Sequence, residues 1–313
     1  MKQLRYRFAV GLTCLLFSLS PLSSAQTTAA GFQPPTLAQL NGIDIAWTER
    51  GPADGVPLLM VMGLGAAHIV WGEAFTAGLA EQGFRLILFD NRDVGQSQRF
   101  DDWGQPVLWW NFLKAAVGLE VSHPYTLSDM GDDAIALLDM LEIERAHVMG
   151  ASMGGMIAQT IAIEHPERVI SLISIMSSSG APHLPEPSEE ATKALRDTAE
   201  TPAEKTADMH ARGFYPEAIP RQLMAIMQSG DRSERLQTVT VPTLVIHGQD
   251  DPLLPLAHGE HTAEVIPDAQ FRSFPGMAHN IPAAVRPAVL AAIESFAQPQ
   301  SWVEVPGRQA SGF

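Results

Sequence analysis

Only one cysteine, Cys14, occurs among the 313 residues, and it sits close to the amino terminus. A single thiol closes no intramolecular disulfide and builds no cysteine-rich zinc site, so the stability of this chain has to come from core burial. Basic residues are also scarce: 20 Lys and Arg face 35 Asp and Glu, giving a formal net charge of −15. A surface of that sign repels polyanions, which argues against nucleic acid as a partner and against docking on anionic lipid head groups. No internal repeat is visible. Charged residues make up 18 % of the chain and hydrophobic ones 46 %. That balance excludes a disordered or fibrous protein and fits an enzyme-sized globular core.

Residues 1–25 have the pattern of a secretory signal peptide. Lys2, Arg5 and Arg7 form a basic start, an apolar stretch runs over 8–19, and Ser23-Ser24-Ala25 offers small residues for cleavage before Gln26. The apolar stretch is short for a membrane span of about 20 residues. The expectation is therefore cleavage and export to a secreted or periplasmic location, with no stable membrane span afterwards; the alternative is an N-terminal anchor. Cleavage would remove three bases and no acids, and the only cysteine with them.

Apolar runs bounded by turn residues predict strands over 43–48, 57–62, 84–89, 146–149, 169–176, 242–247 and 269–274. The first two, separated by the turn cluster Gly51-Pro52-Ala53-Asp54-Gly55, read as an antiparallel pair. Helical spacing appears over 69–82, over 129–141 behind Ser128 as N-cap, over 153–165 and over 283–296. Strands alternating with helices give an α/β fold, with a mainly parallel sheet covered on both faces and an antiparallel start. Residues 26–176 and 241–298 form the expected core. Segment 177–240 carries no strand pattern and reads as a helical lid inserted over the carboxyl edge of the sheet. A smaller insertion covers 101–127 with Trp103, Trp109 and Trp110, and 299–313 reads as a polar tail.

Directly after the run 146–149 stands Gly150-Ala151-Ser152-Met153-Gly154-Gly155. A strand that ends in a sharp turn and re-enters a helix lifts the serine hydroxyl onto the rim of a sheet, and glycines flank it because the turn is too tight for side chains. The pattern G-x-S-x-G alone recurs by chance in about one chain in ten of this length. Its weight depends on a base, an acid and an oxyanion site nearby. His279, in the loop between the last strand and the last helix, is the best-placed base for Ser152. His165 caps the elbow helix, His247 lies in a strand, and His258 and His261 fall on an expected surface helix. The loop His247-Gly248-Gln249-Asp250-Asp251-Pro252 supplies two candidate acids. Asp251 is favoured because Pro252 holds it extended, and Asp250 is the alternative. The oxyanion donors are expected at the Met153 N–H, and at Leu64 or alternatively Gly65 in the loop Gly63-Leu64-Gly65-Ala66. That loop partly imitates a dinucleotide fingerprint, but His68 fills the third glycine position.

With these residues the chain resembles the α/β-hydrolase superfamily over nearly all of its mature length. The features that carry the resemblance are Gly63-Leu64-Gly65, Phe89-Asp90-Asn91-Arg92-Asp93-Val94-Gly95-Gln96-Ser97, the elbow, Gly248-Gln249-Asp250-Asp251-Pro252 and Gly276-Met277-Ala278-His279. It is most similar to the branch of small carboxylic-ester hydrolases that includes aclacinomycin methylesterase. The resemblance implies an α/β-hydrolase fold with an eight-stranded sheet and a lid, and a serine esterase mechanism without cofactor or metal. Ser152 would be the nucleophile, His279 the base, Asp251 the acid, and Leu64 and Met153 the oxyanion donors. Met62 departs from the histidine that often precedes that glycine, and Asp93 stands where the family often has glycine. Arg92 and Asp90 would pair to brace their loop. The implied partner is a small ester, apolar in part, with Leu223, Met224, Ile226 and Met227 of the lid either lining a pocket or sealing the lid onto the core. A peptidase of the proline-iminopeptidase kind, a lactonase or a thioesterase is the alternative on the same residues, with Glu186, Glu189 and Glu190 as the acids a peptidase could use. A non-catalytic binding protein is the alternative outside enzymes.

Overall fold

Apolar runs, buried on both faces in the central strands, build a single eight-stranded sheet from β1 (Thr36–Leu40), β2 (Ile43–Arg50), β3 (Val56–Val61), β4 (Phe84–Phe89), β5 (Ala146–Ala151), β6 (Val169–Ile175), β7 (Thr243–Gly248) and β8 (Gln270–Phe274). The computed structural model describes residues 32–107, 110–111, 113–114, 119 and 121–297. The expected signal peptide, the tail 299–313 and Trp109 lie outside these residues. The strand order is β1-β2-β4-β3-β5-β6-β7-β8. The pairs β1–β2 and β2–β4 are antiparallel and every later pair is parallel. This is the α/β-hydrolase fold. No helix among the described residues is long and apolar enough to cross a membrane.

Parallel neighbours need crossovers, and helices supply them on both faces. One face buries Leu58, Met60, Leu86, Leu88, Ile173 and Ile246 under Phe75 and Leu79 of α1 (Glu73–Glu81) and Val289 and Ile293 of α9 (Arg286–Ala297). The residues in between, Leu59, Val61, Ile87, Phe89 and Val148, face the opposite layer, formed by α2 (Leu127–Met140) and α3 (Met153–Glu164). Between β6 and β7 the chain forms α4 (Glu189–Ala199), α5 (Ala203–Ala211), α6 (Ile219–Ser229) and the short α7 (Ser233–Leu236); α8 (Ala257–Val265) joins β7 to β8.

Three local expectations need correction. β2 and β3 are not a hairpin: β2 pairs with β4, and with β1, a strand whose apolar alternation is too short to stand out. The helix expected over 69–82 breaks at Gly72, whose φ of 78° separates a 3₁₀ turn at His68–Trp71 from α1. Helix α2 is capped by Thr126, not Ser128. The Thr126 hydroxyl accepts the Asp129 N–H at 3.1 Å and the Asp129 carboxylate accepts the Thr126 N–H at 2.7 Å, a reciprocal capping box. Ser128 instead donates to Glu164 at 2.9 Å.

Candidate active site

Ser152 stands between β5 and α3 with φ 57° and ψ −122°, a backbone region that L-residues rarely adopt and that costs about 1–3 kcal/mol. Close backbone approaches hold it there. A Cβ on Gly150 would lie 2.0 Å from the Gly154 carbonyl oxygen, and one on Gly154 would lie 2.0 Å from that of Val61. Both positions therefore demand glycine. The Ser152 N–H donates to Ile175 O at 2.9 Å, and the Ser177 hydroxyl donates to Ser152 O at 2.8 Å, tying the turn to the neighbouring strand β6.

The loops after β7 and β8 bring the other two groups to this serine. His279 Nδ1 lies 2.7 Å from Asp251 Oδ2, and His279 Nε2 lies 2.9 Å from Ser152 Oγ. The carboxylate accepts at Nδ1, which places the proton there and leaves Nε2 to accept from the serine hydroxyl. The Asp251 side chain is fully buried while that of His279 keeps 15 % exposure. The other oxygen of Asp251 accepts the N–H groups of Leu253 and Leu254, both at 2.9 Å. Asp250 turns away and accepts the Gly276 N–H at 2.7 Å, bracing the two loops against each other. Of the two candidate acids, Asp251 is the one joined to His279.

Other histidines surround this chain of contacts without a hydrogen bond to it, although His247 Nε2 lies 3.6 Å from Asp251 Oδ2. His247 is buried in β7, donates from Nε2 to Leu254 O at 2.7 Å, and has its basicity lowered by burial. His258 is not on a surface: it is buried, accepts or donates at Nδ1 with Ser178 at 2.8 Å, bonds Pro185 O through Nε2 at 2.8 Å, and is likewise made less basic by burial.

The loop after β3 runs beside the serine, since a Cβ on Gly63 would come within 3.0 Å of Ser152 Cβ. Among the described residues, no hydrogen bond takes the N–H of Leu64 or of Met153. The Gly65 N–H is taken, by Gln222 Oε1 of α6 at 2.7 Å. A hydroxyl, an imidazole and a buried carboxylate in this order, beside two unbonded amides, can pass a proton from oxygen to nitrogen and hold an oxyanion.

The brace expected between Arg92 and Asp90 does not exist. Arg92 makes a paired contact with Asp133 at 2.7 and 2.8 Å, whereas Asp90 accepts both the backbone N–H and the ring Nδ1 of His68, at 2.9 and 2.6 Å. Asp90 thus holds the far end of the loop after β3. Asp93, in the position often taken by glycine, has φ 75° and is bound by Arg221 of α6. Within α6, Met224 is fully buried and Ile226 packs on the core, so these two seal the segment down, while Leu223 and Met227 stay partly exposed. Glu186, Glu189 and Glu190 are exposed, the last two in the first turn of α4 behind the N-cap Ser188. Trp110 is 47 % exposed.

Residues 56–211 match the family model for the alpha/beta hydrolase fold. The chain is 28 % identical to rhodomycin D methylesterase from Streptomyces sp. (strain C5), across 79 % of this chain and 93 % of that protein. It is also 28 % identical to a putative carbamate hydrolase from Caulobacter sp. (strain K31), across 79 % and 92 %. In structure it resembles the enol-lactonase from Burkholderia xenovorans LB400 with a TM-score of 0.65 at 20 % identity, covering 83 % of this chain and 99 % of that one. A sheet of this order, a strained serine after its fifth strand and these relatives lead to one assignment: the chain belongs to the α/β-hydrolase superfamily.

Proposed function

We propose that the protein is a serine hydrolase of carboxylic esters that works through an acyl-enzyme. In this reading His279 Nε2 takes the Ser152 proton as Oγ attacks the ester carbonyl, and the Leu64 and Met153 N–H groups receive the developing oxyanion. The Asp251 carboxylate stabilises the imidazolium, which then gives its proton to the departing alcohol. Water, deprotonated by the same imidazole, releases the acid. The observation that carries the proposal is the continuous contact chain from Ser152 Oγ through His279 to the buried Asp251, at 2.9 and 2.7 Å, mounted on a strained turn. Each oxyanion donor is worth about 3 kcal/mol, or 10²–10³ in rate. The methylesterase relatives support an ester over an amide. A peptidase gains no support from Glu186, Glu189 and Glu190, which face solvent.

Ser152→Ala is expected to abolish p-nitrophenyl ester hydrolysis and fluorophosphonate labelling while leaving the unfolding transition in place. Undiminished turnover in a folded variant overturns the proposal. We further propose that segment 177–240 acts as the lid, in keeping with its strand-free, helical build, and that residues 1–25 direct export. N-terminal sequencing of the mature protein is expected to begin near Gln26, and an intact Met1 terminus in the cytosolic fraction refutes the export reading.

A further inference from the structure

We infer that Gln222 is a positioning residue for the oxyanion site, selecting which of two adjacent amides in the loop after β3 is offered to the substrate. The inference rests on the serine-hydrolase reading above. Gln222 lies on α6, in the segment between β6 and β7, and is fully buried. Its Oε1 accepts the Gly65 N–H at 2.7 Å and its Nε2 donates to Arg92 O at 3.3 Å. A backbone donor on one side and a backbone acceptor on the other fix the orientation of the amide, since the flipped form would set donor against donor and acceptor against acceptor.

The contact leaves the two neighbouring peptide groups with different duties. The Gly65 N–H is consumed by Gln222, while the Leu64 N–H, one peptide earlier, has no partner among the described residues. The rest of the loop is pinned around this point. Asn91 donates to Met62 O at 2.8 Å, the Tyr215 N–H donates to Gly65 O at 2.7 Å, the Ala67 N–H donates to Gly213 O at 2.8 Å, and the His68 N–H donates to Asp90 at 2.9 Å. The N–H and the C=O of Gly65, which belong to successive peptide groups, are thus both held by the inserted segment. Without Gln222 the Gly65 N–H would be buried and unbonded, and the loop would relax by turning the Leu64–Gly65 peptide, which disturbs the Gly63–Leu64 peptide before it, the one that runs beside Ser152. The placement of α6 and the geometry of the oxyanion site are therefore one variable.

The test is Gln222→Met, which keeps the length of the side chain and deletes the acceptor, assayed beside Ser152→Ala. The expected result is a fall in kcat of about 10- to 100-fold, part of what loss of a whole donor costs. KM is expected to stay within about twofold and the pH profile to keep its shape, because a misplaced oxyanion donor is felt in the transition state and not in substrate binding. A folded Gln222→Met enzyme with unchanged kcat, or one whose loss lies wholly in KM, overturns the inference. Where that variant does not fold, wild-type enzyme titrated with an alkyl boronic acid, which forms a tetrahedral adduct on serine, gives a second reading by amide NMR. The Leu64 N–H resonance is expected to move and to gain exchange protection while that of Gly65 stays in place; the reverse pattern refutes the assignment. If Ser152→Ala retains activity, the serine-hydrolase reading has failed, and the fate of Gln222 is not what that result reports.

Discussion

The buried pair Arg221–Asp93 gives a stability prediction that can be worked from the contacts. Arg221 Nε and Nη2 meet the two oxygens of Asp93 at 2.6 and 2.8 Å, with both side chains fully buried. Tyr125, whose phenol is kept protonated mainly by burial and by Asp93 beside it, donates to Asp93 Oδ2 at 2.7 Å. Arg221 also reaches the half-exposed Asp101 at 2.8 Å and Gly104 O at 3.2 Å. Removing one partner of a buried ion pair leaves an uncompensated charge and costs about 3–5 kcal/mol. Arg221→Met is expected at the upper end, since Asp93 keeps only neutral donors and an Arg99 guanidinium 3.7 Å away. Asp93→Asn is expected at the lower end, because Arg221 retains Asp101. The double variant strands no charge, so its cost should undercut the sum of the singles by about 2 kcal/mol or more. Guanidinium-chloride unfolding followed by tryptophan fluorescence measures all three. Additivity within about 0.5 kcal/mol would refute the reasoning, because independent sites add to that tolerance. Arg221→Met should also loosen the grip of the adjacent Gln222 on Gly65, so kcat is expected to fall in the same variant under conditions where it stays folded.

Two further outcomes follow from other buried contacts. His147, buried in β5 against Ser171 at 2.7 Å, is held by burial at a pKa of about 4 instead of the ordinary 6.5. The unfolded chain takes up a proton below 6.5 that the folded one refuses, so this contribution is intact above pH 6.5 and is lost as the pH falls toward 4. At about 1.4 kcal/mol per pKa unit the loss approaches about 3 kcal/mol, with His247 and His258 acting in the same direction. A variant such as His147→Gln should flatten the slope of stability between pH 6.5 and 4, and an unaltered slope contradicts the assignment. For the acid, Asp251→Asn is expected to lower kcat by about 10⁴, through the wrong imidazole tautomer. Asp250→Asn, which still accepts from Gly276, should cost less than tenfold; steady-state kinetics with the two variants exchanged in effect would reverse the choice of acid.

What a linear reading reaches in this chain is set by contact range. Ser152, Asp251 and His279 each follow a strand whose apolar run is legible, and Pro252 beside Asp251 carries local information about which acid faces inward. The loop Gly63-Leu64-Gly65 is legible for the same reason. β1 is not, because five residues with only Leu40 buried carry little alternation, and β2 reads as the partner of β3 because a turn cluster between two strands resembles a hairpin whether or not they pair. Asp90 reads as the partner of Arg92, two residues away in the sequence, but the carboxyl edge of the sheet places His68 against it. Gln222 and Arg221 lie 157 and 128 residues from the groups they bind. No periodicity or spacing signals such a contact; only the packing of α6 onto the loops after β3 and β4 creates it.

The site divides into a rigid half and an adjustable half. Gly154 packs against Val61 O so closely that the elbow and the end of β3 move together, which locks Ser152, the Met153 amide and the start of the loop after β3 into one unit. Asp251 is likewise fixed, by two backbone donors and full burial. Adjustment is left to two places: His279, whose side chain keeps 15 % exposure, and the Leu64 peptide, whose direction Gln222 sets from the inserted segment in the inference above. Proton transfer and oxyanion binding thus respond to different parts of the chain. Substitutions near His279 should shift the pH dependence of turnover, whereas substitutions in α6 should scale kcat at every pH. If the inserted segment positions the oxyanion site as proposed, exchanging it for another, even one of suitable shape, should cost rate unless the acceptor for the Gly65 N–H is kept.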